Sequence, residues 1–328
     1  MNIHCCSVTD GRYLVPTMVT IGSVCLNNIQ FKIDYWLIVD KITDHEKDLL
    51  SRFEKKFSNL CLHIIEFTVN DLPSSCCEAI TKTLKDTRLT PSSYGRLFIT
   101  ELLPKNVTKV LYLDGDVLCT KSLEELFNLN MKKNAVAAVL DAGLVESSHV
   151  SKLGISNYVN SGVLLINLQL WRDHDTTKLF SNCIMNNYRE LKYHDQDTLN
   201  IVLRDSILIL PKIFNYQIQP EPYGKKKRDG IYTSAYFLHF ITRHKPWVKG
   251  ACNPLKQIWF SYYEKIFDNN FSYLESFDLT TRIILRIRWF SYYLAPLKSR
   301  RRNFIKKMIP ASFKAIFQER YFRTKDLK

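Results

Sequence analysis

The opening stretch of the chain alternates between two hydrophobic periods. NIHCCSV, FKIDYWLIVD and CLHIIEFT are short runs rich in β-branched, aromatic and other apolar residues. Between them, VPTMVTIGSVCLNN and HEKDLLSRFEKKF space their apolar residues at helical intervals. Strands separated by helices are joined by crossovers rather than hairpins, so the spacing predicts an α/β fold with a mainly parallel central sheet. In open sheets of this kind ligands gather at the carboxyl ends of the strands. The pattern continues in AVAAVLD and in VNSGVLLINLQLW, a strand that runs into a turn, whereas GKKKRDG reads as a solvated loop.

One strand of this series breaks its own rule. KVLYLDGDVLCT begins as a buried strand and then places two carboxylates, Asp114 and Asp116, around Gly115 at the end of the run. An Asp-Gly pair is a common turn former, which is one reading. A helix-loop-helix calcium loop is excluded, because counting from Asp114 puts Leu118 and Cys119 where an oxygen ligand and the glycine belong. Two functional readings remain: a phosphatase forming an aspartyl-phosphate on the first Asp, and a divalent cation site holding Mg²⁺ or Mn²⁺ against phosphates.

Composition removes other classes. A chain of 328 residues, 46% hydrophobic and 12% aromatic, can bury a core without disulfides or metal staples. Its formal charge of +14 is the signature of a nucleic-acid binder only if it is spread over the fold. It is not: from Arg282 to Lys328 there are 14 Lys/Arg against Glu319 and Asp326, a net +12, leaving +2 for the rest. No nucleic-acid partner is expected. Nine cysteines, none spaced Cys-x-x-Cys, give no zinc or disulfide framework, and the apolar neighbours of Cys61 and Cys119 suggest reduced core residues. MNIHCCSV lacks the pattern of a signal peptide, and the best apolar runs are under half the roughly 20 residues of a membrane span. The expected compartment is the cytosol.

Around the Asp-Gly-Asp stand four further motifs: SSYGRL upstream, then NYVNSGVLLINLQLWR, YHDQDTLN and LHFITRHKPW. Taken in order, the five resemble the family 8 glycosyltransferases, in particular the bacterial branch that adds galactose or glucose to lipopolysaccharide or lipooligosaccharide cores. The resemblance covers roughly residues 1–250. It implies a GT-A nucleotide-sugar-binding domain over residues 1–250; beyond it, by its own composition, residues 251–328 read as a basic, aromatic, mainly helical region. It implies that Asp114, Asp116 and His239 bind Mn²⁺, or Mg²⁺, and that Lys245 meets the diphosphate of UDP-galactose or UDP-glucose. Val8, Thr9, Asp10 and Tyr13 match the uridine-binding segment. Arg96, Asp141, Asn160, Asp195 and Gln196 match positions around the donor sugar. Taken alone, Asn160 could shape a turn, Asp195 cap a helix and His239 satisfy a core. The segment between His239 and Lys245 departs from the family, with Thr242 where relatives usually carry Gly.

The resemblance also implies retention of anomeric configuration and an α-linked product. Double displacement needs a nucleophile; Gln196 is a poor one and Asp195 the nearest carboxylate in sequence. Front-face displacement needs none and leaves Gln196 to orient the sugar. The tail interleaves its cations with Trp289, Phe290, Tyr292, Tyr293, Phe304, Phe313 and Phe317. Cations mixed with aromatic residues suit an anionic membrane surface, where a lipid-linked saccharide acceptor is presented. The expected location is therefore peripheral, on the inner face of the cytoplasmic membrane. The competing classes are an Asp-x-Asp phosphatase and a non-catalytic nucleotide-sugar-binding protein.

Overall fold

In chain order the first ten strands are β1 (Asn2–Thr9), β2 (Lys32–Val39), β3 (Leu60–Glu66), β4 (Lys109–Leu113), β5 (Val117–Cys119), β6 (Val136–Leu140), β7 (Val159–Asn167), β8 (Ile207–Ile209), β9 (Tyr216–Gln217) and β10 (Phe237–His239). The structure is a computed structural model describing residues 2–286 apart from 69–70, 72–76, 78–79, 82–91, 132, 221–223, 270–271 and 284. Seven strands make the central sheet, in the order β3-β2-β1-β4-β7-β6-β8. Helix Leu14–Asn27 returns the chain from β1 to β2, and helix Asp44–Glu54, opened by a Thr43/Glu46 capping box, returns it toward β3. Both pairings are parallel.

The chain then turns back and lays β4 parallel to β1 on its other side. This reversal is a topological switch point, and it opens a crevice at the carboxyl ends of β1 and β4. Asp10 follows the first of these ends and Asp114 the second. β7 alone in the sheet runs antiparallel to its neighbours, with Val163 beside Leu113. Its amino-terminal residues, Asn160, Ser161 and Gly162, therefore lie beside the Asp-Gly-Asp, and the Asp114 N–H donates to the Gly162 carbonyl at 2.8 Å. Tyr112, Leu164, Trp171, Phe180 and Leu199 belong to the core that fixes this sheet. The Trp171 indole donates to the Ala135 carbonyl at 2.9 Å, which satisfies its buried polar atom.

A smaller sheet, β5-β10-β9, continues from the Asp-Gly-Asp turn. The described chain divides into two compact units, one of the residues up to Gln217 with Ser234–His239, the other of Ile218–Thr233 and the residues from Phe240 on. The second contains helix Lys256–Phe267, with Trp259 against Trp247 at 5.2 Å, and a short pair, β11 (Val248–Lys249) with β12 (Glu275–Ser276).

Two local expectations are corrected. GKKKRDG is solvated but not a loop: Lys225–Ser234 is a helix whose one buried residue is Ile231. Lys and Arg are strong helix formers, and their exposed run costs such a helix little. After β7 the chain enters helix Leu168–Asp173 rather than a turn, because the Asn167 side chain accepts from the Leu170 N–H and caps it. Residues 287–328, which carry nearly all of the basic tail, lie outside the described residues. Among the described residues no helix is long and apolar enough to cross a membrane.

Candidate active site

The carboxylate pair is completed by a residue from the small sheet. β5 and β10 are antiparallel with Val117 opposite His239, so the register that follows Asp116 delivers the imidazole to it. His239 Nε2 lies 3.1 Å from Asp116 Oδ1 and 3.9 Å from Asp114 Oδ2. Its Nδ1 is 3.0 Å from Asn215 Oδ1, and the Asn215 amide group donates to Asn160 Oδ1 at 2.9 Å. That second bond orients Asn215, so its oxygen accepts from His239 Nδ1–H and, in the neutral ring, Nε2 keeps a lone pair toward the carboxylates. One ligand atom from each of Asp114, Asp116 and His239 lies within 4.8 Å of the others.

Gly162 makes this convergence possible. A Cβ at that position would stand 2.2 Å from His239 Cε1 and 2.7 Å from Asp114 Oδ2. Gly115 meets a similar limit: its Cβ would stand 2.3 Å from the Thr17 hydroxyl, on the first helix. Two carboxylates and one imidazole around a space that a methyl group would fill fit a divalent cation of the Mn²⁺ or Mg²⁺ class, and the nitrogen donor inclines the set toward Mn²⁺.

Arg96 ties the cation cluster to the next group. Its guanidinium forms ion pairs with Asp114 Oδ1 at 2.9 Å and Asp195 Oδ2 at 3.0 Å, and donates to the Ser161 carbonyl and hydroxyl at 2.7 and 2.9 Å. It also lies over the Tyr112 ring, whose hydroxyl donates to Asp114 Oδ1 at 2.7 Å. Burial by itself would lower the Arg96 pKa, but Asp114 and Asp195 reverse this and raise it. Burial pushes Asp195 up from 3.8 to about 6, with Arg96 acting against the rise and Asp114 adding to it.

Beside Asp195, Gln196 accepts from the Ser161 N–H at 3.1 Å and donates to Asp141 Oδ2 at 3.1 Å. Asn160 donates to the same Asp141 oxygen at 3.1 Å. Arg96, Asp141, Asn160, Asp195 and Gln196 thus form one connected polar array adjoining Asp114. Asp195 does not cap its helix, His194–Leu203; its partner is Arg96. Asn160 lies within β7 and shapes no turn; its Oδ1 accepts from the Gly162 N–H at 3.1 Å while its amide group joins the array.

The rest of the YHDQDTLN motif is scaffolding. Asp197, fully buried, accepts from the Tyr158 hydroxyl and the Tyr193 N–H and pairs with His149 at 2.9 Å. Asn200 bonds both backbone groups of Val159, pinning the start of β7 to the helix. Sequence reasoning passed over Tyr112, Ser161 and Asn215. Tyr112 was legible as the same-face neighbour of Asp114, two residues away on a strand; Asn215 carries no sequence signal at all.

At the end of β1, Val8 is half-buried and Thr9 buried, with Thr9 Oγ1 accepting from Thr17 Oγ1 at 3.0 Å. Asp10 accepts from the N–H groups of Arg12 and Tyr13 at 3.1 and 3.2 Å, capping the turn Gly11–Tyr13, and its other oxygen bonds the Arg12 guanidinium. Lys245 belongs to the second unit, where its ammonium donates to the Phe240 carbonyl at 2.9 Å. Thr242 has φ +73°, in the left-handed region that favours glycine. Arg243 stacks on Phe277 at 5.7 Å.

A mainly parallel sheet with a carboxylate-bearing turn at its switch point matches the GT-A fold. The chain belongs to glycosyl transferase family 8, whose family model matches residues 4–251. It is 29% identical over 254 residues to the lipopolysaccharide 1,2-glucosyltransferase of Escherichia coli K12, covering 75% of this chain and 72% of that one. It is 26% identical over 260 residues to the lipopolysaccharide 1,3-galactosyltransferase of Salmonella typhimurium, covering 76% and 74%. Among solved structures it resembles the galactosyltransferase LgtC in complex with donor and acceptor sugar analogs, with a TM-score of 0.65, 22% identity, and 81% and 96% of the two chains covered. The protein is a family 8 glycosyltransferase that is similar to lipopolysaccharide glucosyl- and galactosyltransferases.

Proposed function

We propose that the protein moves galactose or glucose from UDP-galactose or UDP-glucose to a saccharide acceptor, giving an α-linked product with retention. The acceptor is a lipopolysaccharide or lipooligosaccharide core or another lipid-linked glycan. The observation that carries this reading is the convergence of Asp114, Asp116 and His239 on one point at the sheet's switch point, beside a polar array suited to sugar hydroxyls. Asp114, Asp116 and His239 would hold Mn²⁺ or Mg²⁺, which when bound supplies positive charge to the departing diphosphate. Val8, Thr9, Asp10 and Tyr13 serve the uridine, with Asp10 holding the loop in shape through its own backbone bonds. Lys245 serves the diphosphate as a compact positive charge.

Asp141, Asn160 and Gln196 offer the carboxylate and amide groups that pair with hydroxyls. Arg96 holds Asp114 and Asp195 in place and neutralises part of their charge. We favour front-face displacement. Asp195 is committed to Arg96, and Gln196 is fixed between Ser161 and Asp141 with an amide that is a weak nucleophile. A solved active-site mutant of LgtC replaces a glutamine by glutamate, so an active-site glutamine is a feature of that relative.

The phosphatase reading explains neither His239 nor the polar array. Membrane contact by residues 282–328 rests on their charge, +12 over 47 residues, and on their aromatic content. The deciding experiment incubates the protein with Mn²⁺ and UDP-glucose or UDP-galactose, with truncated core oligosaccharides as acceptors, and follows UDP release. Acceptor-dependent release is expected. No release with any hexose donor, or phosphate release from a phosphomonoester, refutes the reading.

A further inference from the structure

A second cluster of ligating side chains lies toward the amino ends of β1, β2 and β3, away from the carboxylate turn. Parallel register sets Asp34 beside His4 on one side and Cys61 on the other, and Trp36 beside His63, so alternate residues of three strands share a face. Cys61 Sγ is 3.5 Å from His63 Nε2, Asp34 Oδ1 is 3.7 Å from the same nitrogen, and all three donor atoms lie within 4.8 Å of one another. Cys61 is thus half-buried in polar company rather than the apolar core residue its sequence neighbours suggest.

The geometry discriminates between two chemistries. A nucleophilic relay of Cys, His and Asp places thiol and carboxylate on opposite ring nitrogens. Here both face Nε2, so three different donors converge on one point. Donors bound tetrahedrally to Zn²⁺ at about 2.0–2.3 Å stand roughly 3.3–3.8 Å apart. The observed 3.5 and 3.7 Å fall in that span.

The surroundings are those of a supported site. Trp36 stacks on the His63 ring at 5.0 Å and 16°, which fixes its plane. His4 Nδ1 stands 3.6 Å from the other Asp34 oxygen; it is buried and makes no hydrogen bond among the described residues.

We propose that Asp34, Cys61 and His63 form a transition-metal site of the kind Zn²⁺ selects, separate from the carboxylate centre. Binding exchanges the Cys61 S–H bond for a sulfur–metal bond and releases the proton to solvent. Three protein ligands leave a fourth position for water. The bound ion would tie the edge strand β3 to β2.

The test uses the full chain with the carboxylate centre saturated by Mn²⁺, titrated with Co²⁺ as a coloured stand-in for Zn²⁺. A near-ultraviolet thiolate-to-cobalt band is expected, which carboxylate and imidazole ligands cannot produce. It should saturate at one ion per chain, disappear on adding Zn²⁺ and be lost in Cys61→Ser. A measurement on the unaltered protein runs beside it: Zn²⁺ should slow alkylation of Cys61, read by mass spectrometry, by at least about tenfold, as expected for a coordinated thiolate. No thiolate band in the unaltered protein overturns the site. So does a band that survives in folded Cys61→Ser, or alkylation of Cys61 that Zn²⁺ leaves unchanged.

Discussion

Gly162→Ala is the sharpest test of the cation cluster, because it alters none of the proposed ligands. Gly162 sits in β7 in a conformation open to alanine, where such a change would ordinarily stabilise by about 0.4–1 kcal/mol through the unfolded chain. Here the added methyl would meet His239 Cε1 at 2.2 Å and Asp114 Oδ2 at 2.7 Å, distances below the 3.0 Å that real Cβ contacts respect. His239 is buried and held from behind by Asn215, so the ring must shift by about 1 Å or the strand must move. Metal–ligand distances tolerate about 0.2 Å, so a shift of that size removes the imidazole from coordination. Overpacking should cost about 1–3 kcal/mol of stability, and misplacement of about 1 Å should lower turnover about 10²-fold. Mn²⁺ affinity by calorimetry, UDP release and thermal unfolding read the three effects. Gly224→Ala, with nothing among the described residues within 4 Å of its added Cβ, is the control and should leave Mn²⁺ affinity and turnover unchanged. If Gly162→Ala binds Mn²⁺ as tightly as the unaltered protein and turns over at full rate, His239 is not a ligand and the cluster is an ion pair.

Four further outcomes follow from the same geometry. Asp114→Ala or Asp116→Ala should abolish transfer in a folded protein, EDTA should silence the unaltered enzyme, and Mn²⁺ should restore it better than Ca²⁺, all read by UDP release. Gln196→Ala should lower turnover yet leave measurable activity, since front-face displacement takes no bond-forming atom from it, and a glycosyl adduct trapped on Asp195 would refute that mechanism. Asp195, raised from 3.8 to about 6, favours the folded state most when protonated. Its contribution is therefore full below 3.8 and is lost as pH rises to about 6, and Asp195→Asn should flatten that part of the stability profile of the metal-free protein in denaturant titrations. Thr242→Gly should stabilise by about 1 kcal/mol in thermal melts, because a β-branched residue at φ +73° bears a steric cost that glycine does not.

How much of this could be read from the chain depended on the range of the interactions involved. The βαβ alternation is local, and the strands and helices of the first three β-units fall where the hydrophobic periods put them. The Asp-Gly-Asp was equally legible, since carboxylates at the end of an apolar strand conflict with the burial around them. The basic helix at Lys225–Ser234 was misread because its charge spoke for solvent, which is correct, but says nothing about backbone. The deeper losses were long-range. Nothing in FNYQI marks Asn215 as the residue that orients His239, because that role arises only when β9 and β10 pair. Cys61 and His63 had no Cys-x-x-Cys partner, because their third ligand comes from the neighbouring strand.

The antiparallel β7 shows why motif order succeeded where spacing failed. A strand in a parallel sheet offers its carboxyl end to the crevice, so residues at its start ordinarily lie far from the chemistry. Reversing β7 sends its first residues to the carboxyl end of β4 instead. Asn160 and Ser161 thereby enter the array, and Gly162 becomes the floor on which His239 and Asp114 meet. The helix His194–Leu203 then has to reach that same end, and it does so through two buried pins: Asn200 on the Val159 backbone and Asp197 on Tyr158 and His149. Those pins sit one and four residues beyond Gln196, and Asn200, one helical turn on, shares the face of Gln196, so the bonds that fasten the helix to β7 also hold Asp195 and Gln196 at the site. The physical content of YHDQDTLN is therefore a division of labour within two helical turns. Asp197→Asn or Asn200→Ala should accordingly loosen β7 and lower thermal stability more than Gln196→Ala does. Equal stability losses in all three variants, measured by thermal unfolding, would refute that division.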